Sequence, residues 1–214
     1  IDVDTRLVLD CPAQVLQSDA ASRTATAAAE PGRNEWLAEC ADSVAVLISD
    51  HSALGALPVL TEKTSFDGQV LLTRPTAQIG RWVLESSTCM LQQLGLSPAQ
   101  ANRAIDRCEP LAYSETVELP ECTAGTTLRV TPWSAGRCLG SAAWLIEIYR
   151  PTAATAFLYV GAGAVHQLTH IGPASLRGLS LPLHELQSDD TSAASEPPIL
   201  RMLRHPRPLD LRSI

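Results

Sequence analysis

Two short segments with apolar centres, SVAVLI at residues 43–48 and QVLLTR at residues 69–74, are each followed by a segment of helical spacing. Apolar runs of this length, bounded by turn residues, read as buried strands. Between them, GALPVLTEKT at residues 55–64 predicts a helix of about three turns, with Leu57, Leu60 and Val59 toward the core. Asp67–Gly68 is a turn signal. After the second run, Pro75 opens a longer helical stretch in which Ile79, Trp82, Val83, Met90 and Leu91 recur at core spacing, and Gly95 supplies the stop. A strand–helix–strand–helix succession of this kind confines the chain to a layered α/β or α+β domain with strands packed on helices.

The flanking segments fit that frame. TRLVLDCP at residues 5–12 reads as a strand that ends at Asp10, and EWLAEC at residues 35–40 as a short helical turn before the strand at 43–48. Residues 17–35, rich in Ala, Ser and Thr with no apolar period, read as a loop. Ser97 followed by Pro98 is a helix start, with serine at the N-cap and proline in the first turn. TVEL, TTLRVTPW, AAWLIEIYR and TAFLYVGAG then follow as a strand series, with the Gly-rich turn SAGRCLGS between the second and third. These elements predict one domain over residues 1–185, followed by a flexible acidic loop and an arginine-rich tail over residues 186–214.

Composition narrows the classes. About 45% of the 214 residues are apolar, enough for a real core, and the net charge of −7 argues against a strongly basic nucleic-acid surface overall. No apolar stretch approaches a membrane span. The chain begins at Ile, and is read as part of a longer one. Cys11, Cys40, Cys89, Cys108, Cys122 and Cys138 are scattered without a C-x-x-C, a pattern of reduced, packed thiols and not of a disulfide framework or zinc knuckle.

The candidate chemistry concentrates where the strand at 43–48 runs into Ser49, Asp50 and His51, the place where a metallohydrolase sets its ligands. A di-zinc hydrolase needs imidazoles and carboxylates converging on ions about 3.5–4 Å apart. Asp50 and His51 are neighbours on an extended chain, so their side chains diverge. His166 and His170 are spaced to share a helix face but lack the Glu of H-E-x-x-H, and His184 and His205 stand apart. WSAGRCLGS is not a G-x-S-x-G nucleophile turn, which leaves Cys138 a packing residue. The G-x-G at Gly161–Gly163 lacks the third glycine of a dinucleotide loop. Asp50 and Ser52 are instead suited to cap the helix that follows.

The long stretch LISDHSALGALPVLTEKTSFDGQVLLTRPTAQIGRWVLES, then SAGRCLGSAAWLIEIYR and FLYVGAGAVHQ, resembles the metallo-β-lactamase domain of the β-CASP RNA-processing nucleases. In active members a strand ending in Ser leads to H-x-H-x-D-H, then GALP, a helix, TSF-x-G, a strand and a second helix; later come a His before AGxxLG, a strand, and LYTGD. The likeness runs from about residue 5 to about residue 173. It implies an α/β fold of the αββα metallo-β-lactamase sandwich type, present here as an incomplete domain.

The resemblance also implies a degenerate site. Asp10 matches the aspartate that supports the metal site from behind. Asp50, His51 and Ser52 stand where H-x-H-x-D-H belongs, in a loop two residues shorter. Ser134 replaces the third-motif His, and Ala162 the metal-bridging Asp. Serine is a poor zinc ligand and alanine none, and without metal no water is brought to a pKa near 7. The expectation is therefore an inactive member with no metal, no cofactor and no catalytic residue. It would pair with an active β-CASP endonuclease paralogue in a large nuclear complex for RNA 3′-end processing, with indirect RNA contact and no membrane. Two other readings follow from the same residues: the fold kept as a structural subunit of another assembly, such as an organellar (for example mitochondrial) ribonucleoprotein, or a rebuilt site in which Asp10, Asp50 and His51 converge with His166 or His170.

Overall fold

The computed structural model describes residues 6–12, 31–123, 125–150, 154–161 and 208–210. The chain order is β1 (Arg6–Leu9), α1 (Pro31–Ala41), β2 (Ala45–Leu47), a 3-10 turn (His51–Leu54), α2 (Leu57–Lys63), β3 (Gln69–Thr73), α3 (Arg74–Ser86), α4 (Thr88–Gln93), α5 (Pro98–Asp106), β4 (Cys108–Leu111), β5 (Val117–Thr123), β6 (Thr126–Ser134), β7 (Ala142–Tyr149), β8 (Ala154–Tyr159) and β9 (Pro208–Asp210).

These strands make two sheets. The first has the order β4-β3-β2-β1-β9, and the second is the meander β5-β6-β7-β8. Strands β1 to β4 are parallel, and the pairs within the second sheet are antiparallel. The parallel strands are apolar on both faces because both are covered. Leu7, Leu9, Ala45, Leu47 and Leu71 meet Leu128, Val130, Trp144, Ile146 and Ile148 of the second sheet. Their neighbours Val8, Val46, Ile48, Val70 and Leu72 turn the other way, onto Leu57, Leu60, Leu84, Leu91 and Ile105 of the helices. Period-two alternation thus splits one apolar run between two cores. Over the described residues, the helix–sheet–sheet layering is that of the expected sandwich.

Local signals set most element ends. The Ser97 hydroxyl accepts from the Gln100 backbone N–H while the Gln100 side chain accepts from the Ser97 N–H, closing a capping box with Pro98 in the first turn. Gly95 lies at φ +62, as a stop glycine should. Thr73 ends β3 and caps α3, its hydroxyl accepting from the Thr76 N–H. The strand read as residues 69–74 is therefore one residue shorter, with Arg74 already helical.

Several expectations are corrected. The helix placed at 55–64 is the shorter α2, and an unexpected 3-10 turn over His51–Leu54 precedes it. The turn expected at 35–40 is the full helix α1, which starts at Pro31, inside the segment read as loop. The single helix after Pro75 is broken at Ser87 into α3 and α4. β4 and β9 are strands where none was expected; both lie on sheet edges, where Pro110 and Pro208 cost no ladder hydrogen bond. β9 also brings part of the segment read as a flexible tail onto the free edge of β1, with Arg6 opposite Asp210 and Val8 opposite Pro208.

The face of α3 is the most instructive correction. Trp82, expected in the core, is 66% exposed, and Ile79 and Val83 are half-buried. The buried stripe is Thr76, Gly80 and Leu84. A Cβ on Gly80 would stand 2.1 Å from Leu54 Cδ1, so the absence of a side chain is what lets α3 close on the 3-10 turn. Leu54 is fully buried, so it must repack against the core to make room. Gly80→Ala is expected to cost about 1–3 kcal/mol through overpacking, despite alanine's better helix propensity. Urea denaturation of the two proteins checks this, and an unchanged or raised midpoint would refute it.

Candidate functional site

The carboxyl ends of the parallel strands face the loop between β6 and β7, and the candidate residues gather there. This is where open α/β sheets place their sites. Asp10 directly follows β1, and Ser49, Asp50 and His51 follow β2. From the opposite sheet come Ser134 at the end of β6, the turn 135–141, and Tyr159 with Gly161 at the end of β8.

Asp10 joins the ends of β1, β2 and β8 through its carboxylate. Its backbone takes φ +64, a left-handed conformation that aspartate tolerates better than most residues. One carboxylate oxygen accepts from the Ser49 N–H at 2.6 Å, and the other from the Tyr159 hydroxyl at 2.7 Å. Burial pushes the Asp10 carboxyl up to about 6, against the pull of its hydrogen bonds and with a small contribution from the Asp50 charge. Burial, with Asp10 beside it, also pushes the Tyr159 phenol up. Gly161 closes the back of the cluster: a Cβ there would lie 2.6 Å from Ser49 Oγ and 3.0 Å from Asp10 Oδ2.

Asp50 and His51 reach the same facing turn but take different partners there. Asp50 is extended (φ −159, ψ 176) and caps the 3-10 turn. Its Oδ1 accepts from the Ser52 N–H at 2.7 Å and the Ser52 hydroxyl at 2.5 Å. Its Oδ2 accepts from Arg137 Nη1 at 2.8 Å. His51 points to the next residue of the same facing turn, with Nδ1 3.8 Å from Cys138 Sγ. Burial raises the Cys138 thiol and the Asp50 charge adds to this, while Arg137 pulls it down.

The facing turn is held firmly. Gly136 and Gly140 take φ +70 and +86. The backbone N–H groups of Arg137 and Cys138 both donate to Ser141 Oγ, at 3.1 and 3.2 Å. The Gly140 carbonyl accepts from the hydroxyls of Thr73 and Thr76, at 2.6 and 2.9 Å, which ties the turn to the start of α3. The Ala142 N–H donates to the Ser49 carbonyl at 2.7 Å, and Trp144 Nε1 donates to the Ile48 carbonyl at 3.2 Å. Both bonds lock the two sheets together beside the site.

The donor set decides what the described residues can hold. Among them, no group of three or more His, Cys, Asp or Glu side chains is placed to hold a metal ion. Both oxygens of Asp10 and both of Asp50 already accept hydrogen bonds. Ser134 is half-buried at the end of β6, with Ala142 opposite it in the register. The described side chains do not fit a zinc centre. Ala162, His166, His170, His184 and His205 lie outside the described residues. Among the cysteines, Cys11 and Cys40 are buried, as packing thiols should be; burial pushes Cys40 up to about 12 and Cys11 well above its ordinary value. Cys89 is exposed.

Reading the sequence alone passed over three members of this cluster: Arg137, Tyr159, and Cys138 as a neighbour of His51. Arg137 and Cys138 carried a usable signal, since they follow Ser134 in a stretch that the resemblance places at the site.

The chain belongs to the metallo-β-lactamase superfamily: the profile of the metallo-beta-lactamase superfamily domain matches residues 6–161. The curated relatives that the chain matches include RNA-processing proteins of the kind the resemblance implied. Integrator complex subunit 9 of Homo sapiens is 30% identical, over 48% of this chain and 20% of the relative. The same subunit from Gallus gallus is 29% identical with the same coverage. Endoribonuclease ysh1 of Emericella nidulans is 29% identical, over 62% of this chain and 15% of the relative. The chain thus spans about a fifth or less of the length of these relatives. Among solved structures, a B3 metallo-β-lactamase with an active-site glutamic acid aligns at TM-score 0.44 and 14% identity, over 80% of this chain and 58% of the other. Among the described residues no helix is long and apolar enough to cross a membrane.

Proposed function

We propose that this chain is a catalytically inactive scaffold subunit of an Integrator-like complex for RNA 3′-end processing. It pairs with an active β-CASP endonuclease paralogue of the Integrator subunit 11 kind, inside the nucleus. The observation that carries this reading is the commitment of Asp50 and His51. They occupy the address of the first metal-binding motif, yet Asp50 caps the 3-10 turn and pairs with Arg137, while His51 faces Cys138. Ser134 and Ala162, at the other ligand addresses, have no imidazole or carboxylate to offer. A site without metal has no route to a nucleophilic hydroxide at neutral pH. What remains is shape: two locked sheets and a rigid turn, on which a partner can be held.

The test is a mild-lysis affinity purification of the endogenous full-length protein, with mass spectrometry of its companions. A stoichiometric paralogue carrying an intact H-x-H-x-D-H is expected. A reproducible set of partners without such a paralogue would sink the reading and leave a lactamase fold serving another assembly.

A further inference from the structure

We infer that Arg137 is the resident cation of this site, its guanidinium serving as the counter-charge that a metal ion gives the carboxylates of this fold. The inference deepens the scaffold reading and rests on it. Asp50 is 2% exposed, at the end of a buried parallel strand. A carboxylate taken out of water needs a positive partner or a full set of donors. Ser52 supplies donors to one oxygen only. The other oxygen faces across to the second sheet, where Arg137 Nη1 meets it at 2.8 Å. His51, next to Asp50 in the chain, places its Nδ1 3.8 Å from Cys138 Sγ.

Arg137 is also presented as a fixed group and not as a passing surface contact. Its own N–H is bound to Ser141 Oγ, glycines at positive φ flank it on either side, and the carbonyl of Gly140 is clamped by two buried threonines. Its guanidinium end is partly open to solvent, with the side chain 42% exposed, so the desolvation cost falls mainly on Asp50. A guanidinium is always charged and does not exchange as a metal does. The pair therefore bridges the two sheets with a charge that does not depend on metal supply.

The experiment is a double-mutant cycle on the thermal stability of the full-length protein, using Asp50→Asn and Arg137→Gln, each melted with EDTA and with added zinc chloride. Asparagine keeps the N-cap while removing the charge, and Arg137 is exposed enough for its replacement to fold. Arg137→Gln is expected to lower Tm by several degrees. In the Asp50→Asn background the same change should do little, and the wild type should respond to neither EDTA nor zinc. Additive or absent effects of the two substitutions, or a wild-type Tm that falls in EDTA or rises with zinc, would overturn the inference. Capture of the nuclease paralogue is read separately, so losing it would count against the scaffold reading and leave the cycle's result intact.

Discussion

Replacing Trp144 with alanine is expected to cost about 3–5 kcal/mol, as large-to-small changes of buried aromatics do, and to lower Tm by about 10 °C or more in a domain of this size. Trp144 is among the largest fully buried side chains. It lies between the sheets, among Leu128, Val130 and Ile146 of its own sheet and Leu7, Leu47 and Leu71 of the other. Nothing near can relax to fill an indole-sized void, because both neighbours are sheets held by their own ladders. The substitution also removes the bond from Nε1 to the Ile48 carbonyl. That carbonyl lies just past β2 and just before Ser49 and Asp50, so the loss reaches the site. Trp144→Phe separates the two contributions: it keeps most of the packing, loses the hydrogen bond, and should cost about 1–2 kcal/mol. Chemical denaturation of the three proteins measures this, and a Trp144→Ala loss no larger than that of Trp144→Phe would contradict a packing role.

The second large effect concerns Asp10, and its sign depends on pH. In the unfolded chain the carboxyl titrates near 3.8, and in the fold near 6. The folded state therefore binds the proton more tightly. Stability from this group is fully present below about pH 4, falls as pH rises through about 6, and the difference amounts to about 3 kcal/mol at 1.36 kcal/mol per unit. Asparagine tolerates φ +64, can accept from the Ser49 N–H and donate to the Tyr159 oxygen, and does not titrate. Asp10→Asn should thus match or exceed wild-type stability at pH 7 and lose that advantage toward pH 4. Asp10→Ala should be worse at every pH, by about 2–4 kcal/mol, since it strands two buried donors and strains the backbone. Melting curves of the three proteins between pH 4 and 7 decide it. A wild-type minus Asp10→Asn difference that is flat with pH would show that this carboxyl is not held in a desolvated pocket.

Taken together, these residues describe a site whose surroundings remain well built although its polar groups are turned to holding the fold. Asp10, Ser49 and Tyr159 still support the strand ends. Asp50 and Arg137 close the gap between the sheets. Such an arrangement leaves a closely bonded face at the ends of the parallel strands.

The amino-acid sequence by itself determined the elements whose signals are local. The runs through Val46 and Val70 read as buried strands because their central residues are apolar and turn residues bound them. Ser97, Pro98 and Gln100 start a helix, and Gly95 stops one, through bonds among near neighbours. The order of the motifs was enough to give the family and its layered fold. The tertiary structure alone decided which face of α3 is buried. Thr76, Gly80 and Leu84 go inside in place of the larger Ile79 and Trp82, because close approach to Leu54 favours a residue with no side chain over added apolar area. It alone decided that Pro110 and Pro208 sit in edge strands, since edges exist only once a sheet is ordered. And it alone set Asp50 against Arg137 and Asp10 against Tyr159, pairs separated by 87 and 149 residues. Helix periods and caps act over a few residues, whereas these contacts depend on how two sheets are laid face to face, which no local pattern encodes.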